Sequence, residues 1–287
     1  MELCFSEIRI ENTNRCAYRC FFCPREELTR PKGTMSVEDF KLVLETLDSH
    51  TGIVDLHGFG EPLLDSDLVT KIRMVSRTWP NARSRIYTTL GVTLSNDTWE
   101  QLAFSGIREI EVSFYGFTPN AYREVHGVHR FDLALDNLTR LCRLKKGVPE
   151  LDIVMRAFPT HSQITPPNPH EIAVEFWKRV QELGVGVIRE RDLHNFGSGR
   201  LYNLPGRGKT CSIIWGYRKR ILQVTWDLKV IPCCFDFDAS MILGDLRTST
   251  LEQIFMGSPY TNFIEAHVND NLSSLPVCAG CERCFKP

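Results

Sequence analysis

Cys16-Ala17-Tyr18-Arg19-Cys20-Phe21-Phe22-Cys23 puts three thiols in one short segment. Three thiolates can hold three corners of a [4Fe–4S] cubane and leave its fourth iron open. A catalytic metal site keeps an open position, whereas a structural site closes it. The spacing, three residues then two, differs from the usual zinc pairs, although a zinc site or buried thiols is the plain alternative.

A second group follows in the last third: Cys211, Cys233, Cys234, Cys278, Cys281 and Cys284. Four of these suffice to close a second cubane. A structural zinc ribbon is the alternative. Only Cys4 and Cys142 stand apart. The count of 11 is odd, so the cysteines cannot all pair within one chain. Met1-Glu2-Leu3-Cys4 carries no basic segment followed by an apolar run. A cytoplasmic, reducing setting is therefore expected, with cysteines as metal ligands rather than disulfides.

The 287 residues can bury a substantial core, as one large α/β domain or two smaller ones. Net charge is −1, which excludes the basic field of a sequence-independent nucleic-acid binder. No apolar run reaches membrane-span length.

The elements that must position these thiols read as repeated β-α units. Strands are expected at Glu7–Ile10, Ile53–Leu56, Arg85–Thr88, Glu109–Phe114, Leu151–Met155 and Val185–Ile188. Helical spacing appears after Ser36, over Leu68–Val75, around Trp99–Ala103, and over Phe131–Leu144 and Ile172–Leu183. Six such units imply a parallel sheet with right-handed crossovers. A flat doubly wound sheet and a curved partial barrel both fit, and in either the loops after strand ends build the site. Gly197–Gly208 reads as a linker, Ile221–Val224 and Lys229–Ile231 as a hairpin, and short helices lie near Leu251 and Tyr260.

The cysteine spacing, with aromatic Phe22 before the third cysteine, resembles the signature of the radical S-adenosylmethionine (SAM) superfamily. Gly60-Glu61-Pro62 is similar to that family's GGEP turn, which contacts the SAM amino group; Phe59 replaces the turn's first glycine. Ser113 and Arg156, at the fourth and fifth strand ends, match positions that contact SAM ribose or carboxylate. Thr88-Thr89-Leu90-Gly91 stands where many relatives carry Thr-Asn-Gly. The resemblance implies a partial (β/α)6 barrel over 1–196. Its [4Fe–4S] cluster, held by Cys16, Cys20 and Cys23, would chelate SAM and generate a 5′-deoxyadenosyl radical.

The second cysteine group resembles the SPASM/twitch extension of that superfamily. It implies a small α+β domain over 197–287 with one auxiliary [4Fe–4S] cluster on Cys211, Cys233, Cys278 and Cys281. Cys234 and Cys284 are alternative ligands. The loop Arg191-Asp192-Leu193-His194 faces the substrate side, with His194 and Asp192 as candidate base or substrate-gripping groups. The small size resembles the aminoglycoside and aminocyclitol dehydrogenases and epimerases of antibiotic biosynthesis. A carbohydrate-like substrate with a secondary carbinol is therefore expected, and an electron donor such as flavodoxin or ferredoxin. The spare thiols tilt the expectation toward epimerisation, with Cys234 returning a hydrogen atom. A peptide maturase on the same chemistry, and a non-enzymatic zinc or iron–sulfur scaffold, are the alternatives.

Overall fold

A computed structural model of the chain describes residues 4–157, 178–185, 187–190, 194, 196, 210–211 and 221–285. Six parallel strands follow one another: β1 (Glu7–Ile10), β2 (Ile53–Leu56), β3 (Arg83–Thr88), β4 (Glu109–Ser113), β5 (Asp152–Ala157) and β6 (Val187–Glu190). Their spatial order equals their sequence order. A doubly wound sheet reverses direction at a switch point; this one does not. Successive right-handed crossovers then put every helix on one face. The sheet covers its other face by curling, so the fold is a partial (β/α)6 barrel.

Strand alternation matches that geometry. Ile8, Ile10, Val54, Leu56, Ile86, Ile110, Val112, Ile153 and Met155 are buried in the apolar core. Their neighbours Glu7, Arg9, Asp55, Arg85, Tyr87, Glu109, Glu111 and Arg156 share the opposite face, because successive strand side chains point to opposite sides. The helices over the core are α1 (Val37–Leu44), α2 (Leu68–Thr78), α3 (Asn96–Ala103), α4 (Pro119–His126) and α5 (Phe131–Lys145). Ser36, Ser95 and Thr118 cap α1, α3 and α4 by accepting the N–H of Asp39, Thr98 and Ala121.

Helix α4 is absent from the sequence expectation. Its punctuation was present: Thr118 at the cap, Pro119 at the first turn and Gly127 past the end, at φ 70°. Of the helix expected over Ile172–Leu183, residues 178–182 are helical and the earlier ones lie outside the described residues. The expected linker 197–208 lies outside them too.

The C-terminal hairpin is present as β8 (Ile221–Val224) and β9 (Lys229–Ile231), followed by β10 (Gly244–Asp245). It also does something the sequence did not indicate. β8 pairs in parallel with β1, Arg9 opposite Gln223, so the hairpin extends the barrel sheet past its first strand. Two short strands, β7 (Thr210–Cys211) and β11 (Cys284–Phe285), pair separately and set Cys211 opposite Cys284. Helices α6 (Leu251–Met256) and α7 (Ser258–Val268) complete this part.

Candidate active site

The loop after β1 carries Cys16, Cys20 and Cys23, and its own side chains tie it down. Thr13 Oγ1 donates to Gly33 O (2.9 Å), Asn14 Nδ2 to Pro31 O (2.9 Å), and Gly33 N to Asn14 Oδ1 (2.7 Å). Below the loop, Lys71 Nζ meets Asp65 Oδ2 at 2.7 Å with both side chains fully buried, and Asn12 Nδ2 donates to the same oxygen. The indole of Trp226, from the β8–β9 turn, lies over Gly33, where an added Cβ would come within 2.4 Å of the ring. Glu11 joins these parts. It accepts from Arg30 at 2.6 and 2.7 Å, from the Phe59 N–H at 3.1 Å and from the Trp226 N–H at 3.3 Å.

The turn after β2 is stitched to the cysteine loop. Glu61 N donates to Arg15 O (2.9 Å), and a Cβ at Gly60 would stand 2.3 Å from Thr13 O, so only glycine permits this approach. The Glu61 carboxylate accepts from Thr88 Oγ1 (2.6 Å), Thr89 N and Oγ1 (2.8 Å each) and Leu63 N (3.2 Å). Burial pushes its pKa up, while those donors pull it back. Thr88 and Thr89 thus anchor the turn's carboxylate at the position where the family pattern has Thr-Asn-Gly. Pro62 starts the 3-10 turn behind it.

These parts surround a cavity of about 410 Å³ at the strand ends. Among the expected site residues, Cys16, Cys20, Cys23, Phe22, Gly60, Glu61, Ser113, Arg156, His194 and Cys234 all border it. Asp192 lies outside the described residues. Phe22 packs edge-on against Tyr115, with ring centroids 5.4 Å apart. His194 Nδ1 is 2.6 Å from Glu282 Oε1, and its ring lies 5.1 Å from Phe235.

The barrel's inner face supplies an ionic ladder below the cavity. Arg9 Nε meets Glu7 at 2.5 Å; Arg85 forms two bonds to Asp55 at 2.5 and 2.7 Å and reaches Glu111 at 3.5 Å; Arg156 Nε donates to Glu111. Burial drives Asp55 up to about 7 against the pull of Arg85, and Asp55 in turn hydrogen-bonds Glu7. Glu7, despite its own burial, is drawn down to about 2 by that hydrogen bond and by Arg9 and Arg85. Sequence reasoning missed this ladder, although the charged-apolar alternation of Glu7-Ile8-Arg9-Ile10-Glu11 and Glu109-Ile110-Glu111-Val112 was its signal.

A second, smaller cavity of about 50 Å³ is bordered by all six C-terminal cysteines. Burial pushes Cys233 well above the ordinary thiol range, with Cys234 and Cys278 adding to it, and pushes Cys278 up to about 12. Cys16, in the first loop, is raised to about 12 by burial and by Glu61. Arg9, Cys234, Phe235 and Arg283 border both cavities.

The donor sets fit iron–sulfur clusters. Three thiols of one loop face the larger cavity beside a glycine cradle, and six thiols surround the smaller one. Among the described residues, no three His, Cys, Asp or Glu side chains gather tightly enough for a single metal ion. A cubane spreads its thiolates around four irons instead of one.

Comparison with known proteins gives the same picture. The radical SAM superfamily profile matches residues 10–156, and that of the SPASM iron-sulfur cluster-binding domain matches residues 211–284. The chain is 24% identical, over 99% of its length and 95% of the other, to S-adenosyl-L-methionine-dependent 2-deoxy-scyllo-inosamine dehydrogenase of Niallia circulans. It is 28% identical to a probable GTP 3′,8-cyclase of Saccharolobus islandicus, over 68% of this chain and 59% of that one. The fold is shared with BtrN in complex with AdoMet and 2-DOIA (TM-score 0.64, 23% identity, 98% and 94% coverage). It is also shared with anSMEcpe bound to AdoMet and a peptide (TM-score 0.66, 14% identity, 98% and 90% coverage).

Proposed function

The chain belongs to the radical SAM superfamily and carries a SPASM extension, and on that premise we propose that it oxidises a secondary carbinol of an aminocyclitol or similar cyclic polyol to a ketone. The observation that carries this reading is the shared wall of Arg9, Cys234, Phe235 and Arg283. A substrate in the larger cavity is one layer of side chains from the cysteine-lined cavity. The dehydrogenase activity of the Niallia circulans relative supports the same direction.

When bound, SAM and the first cluster supply a hydrogen-abstracting radical, and the auxiliary cluster supplies an electron sink. The carbinol then gives up one hydrogen atom, one electron and one proton. In this reading residues 1–196 form the catalytic barrel and 197–287 the auxiliary domain. Cys16, Cys20 and Cys23 hold the first cluster; Cys211, Cys233, Cys278 and Cys281 hold the second. Gly60-Glu61-Pro62, Phe22 and Ser113 face SAM. Arg156, fixed by Glu111, also faces SAM, and His194, fixed by Glu282, takes the carbinol proton. A flavodoxin or ferredoxin in the cytoplasm would supply the electron that starts turnover.

Epimerisation is the second reading, favoured by one observation: the Cys234 thiol borders the larger cavity. The reconstituted enzyme, 2-deoxy-scyllo-inosamine and deuterated water separate the two. A ketone formed with one SAM consumed supports oxidation. Deuterium at an inverted carbinol carbon, lost in Cys234→Ala, supports epimerisation. SAM cleavage without either product removes this substrate class.

A further inference from the structure

His126 ends α4 with its side chain buried among three tyrosines. Its ring stacks on Tyr115 at 5.5 Å and meets Tyr18 and Tyr122 at 5.4 and 4.1 Å between centroids. The two ring nitrogens have separate partners. The Tyr115 N–H donates to Nε2 at 3.1 Å, so Nε2 presents a lone pair and holds no proton. A neutral imidazole with a bare Nε2 carries its proton on Nδ1. Nδ1 lies 3.3 Å from Cys20 Sγ. The hydrogen bond therefore runs from Nδ1–H to the sulfur.

The backbone fixes this contact from both sides. Arg19 N donates to His126 O at 3.0 Å and Phe21 N to Val125 O at 3.1 Å, so the chain is strapped to the end of α4 on either side of Cys20. Gly127 follows at φ 70°, and a Cβ there would stand 2.8 Å from Arg19 O. The histidine therefore occupies the last helical position before an obligatory glycine, and the cysteine loop packs against both.

We propose that His126 is a positioning residue for the first cluster: a fixed Nδ1–H donor to the Cys20 sulfur, which makes that cluster easier to reduce and keeps the imidazole from ligating an iron. The proposal rests on the reading of Cys16, Cys20 and Cys23 as cluster ligands. Reduction adds negative charge that is shared by the ligand sulfurs, so a donor on a sulfur stabilises the reduced form more than the oxidised one. The Tyr115 N–H is what sets the direction of donation, because it occupies the only lone pair that could turn toward metal.

Two substitutions divide the histidine's functions. His126→Gln places its amide near the Nε2 position and can still accept from Tyr115, but offers nothing to Cys20. His126→Asn places an amide N–H near the Nδ1 position and keeps the donor. Both are compared with wild type by anaerobic EPR-monitored redox titration of the SAM-responsive signal, with iron content measured on the same samples. In His126→Gln the reduced-to-oxidised ratio at a fixed potential should fall roughly tenfold, about 59 mV more negative for one electron. His126→Asn should stay close to wild type. Equal shifts in both variants, or none in His126→Gln at full iron content, would overturn the proposal. Pulsed EPR on reduced wild type carrying 15N-histidine gives an independent reading if the Gln variant does not fold. A nitrogen coupling to the cluster spin supports the donor, and its absence refutes it. Wild type with no reducible iron signal would remove the cluster itself, and the proposal with it.

Discussion

Arg9 Nη1 lies 2.8 Å from Cys234 Sγ, at the boundary between the two cavities. Glu7 at 2.5 Å and Asp55 at 3.7 Å hold the guanidinium there. Cys233, one residue away, borders only the smaller cavity. Adjacent thiols in the turn after β9 thus have different surroundings. Cys233→Ala should cut reconstituted iron from ~8 to ~4 per chain, while Cys234→Ala keeps ~8. Iron and sulfide analysis checks this: equal losses would show that both thiols are required, and no loss in either variant that one can replace the other.

The Glu61 carboxylate accepts from four donors, three at the end of β3 and just after it and one in its own turn. Glu61→Ala leaves those donors without an acceptor in a buried place. The variant should lose about 3 kcal/mol or more in urea unfolding, since each stranded buried group costs ~1–3 kcal/mol. SAM affinity, read by equilibrium dialysis, should fall with it. Unchanged stability would mean that water replaces the carboxylate.

Lys71 and Asp65 form an ion pair with no exposed side-chain surface. Lys71→Met leaves Asp65 as a lone buried charge and should cost about 3–5 kcal/mol. Adding Asp65→Leu should recover part of that loss. Denaturant midpoints of the single and double variants test the coupling; a double variant no better than the single would refute it.

The Asp55–Glu7 pair gives a pH dependence with a defined sign. Asp55 is raised from 3.8 to about 7, so in that window the folded chain keeps a proton that the unfolded chain has lost. Stability from Asp55 is present below 3.8 and falls as pH rises to about 7. Glu7 is lowered from 4.5 to about 2, so its contribution is present above 4.5 and lost as pH falls toward about 2. The two titrate as one unit. Asp55→Asn mimics the protonated form. Wild type should therefore match Asp55→Asn near pH 4, fall progressively below it in stability as pH rises to about 7, and then level off, as measured by thermal unfolding. A difference that does not change over that range would show Asp55 ionised throughout.

Phe59 stands where the family's turn has glycine, and its ring lies 5.9 Å from Phe196 and 6.0 Å from Phe237. Phe59→Gly restores the family residue and removes part of an aromatic wall of the cavity. The substrate KM should rise roughly tenfold or more, the scale of one lost buried aromatic contact, with SAM affinity unchanged. The reverse pattern in steady-state kinetics and SAM binding would put Phe59 on the SAM side.

Much of this protein was legible before any fold was known. Cysteine spacing, the Gly60-Glu61-Pro62 turn and six periodic β-α units are local signals, set by bond geometry and strand or helix period. They pointed to the cysteine loop, the turn beside it and the parallel sheet. Helix α4 was missed because its apolar stripe is short, although its cap residues marked both ends.

Other features depended on residues far apart in sequence. The pairing of β8 with β1, the contact of Arg9 with Cys234 and the packing of Trp226 on Gly33 each join segments about 200 residues apart. His126 looked like one histidine among eight until the end of α4 met the cysteine loop. Sequence determined which groups are available for chemistry, because ligand type and spacing are covalent facts. Tertiary structure alone decided which sulfur meets His126 and which thiol borders both cavities, because direction and burial exist only once the chain has closed on itself.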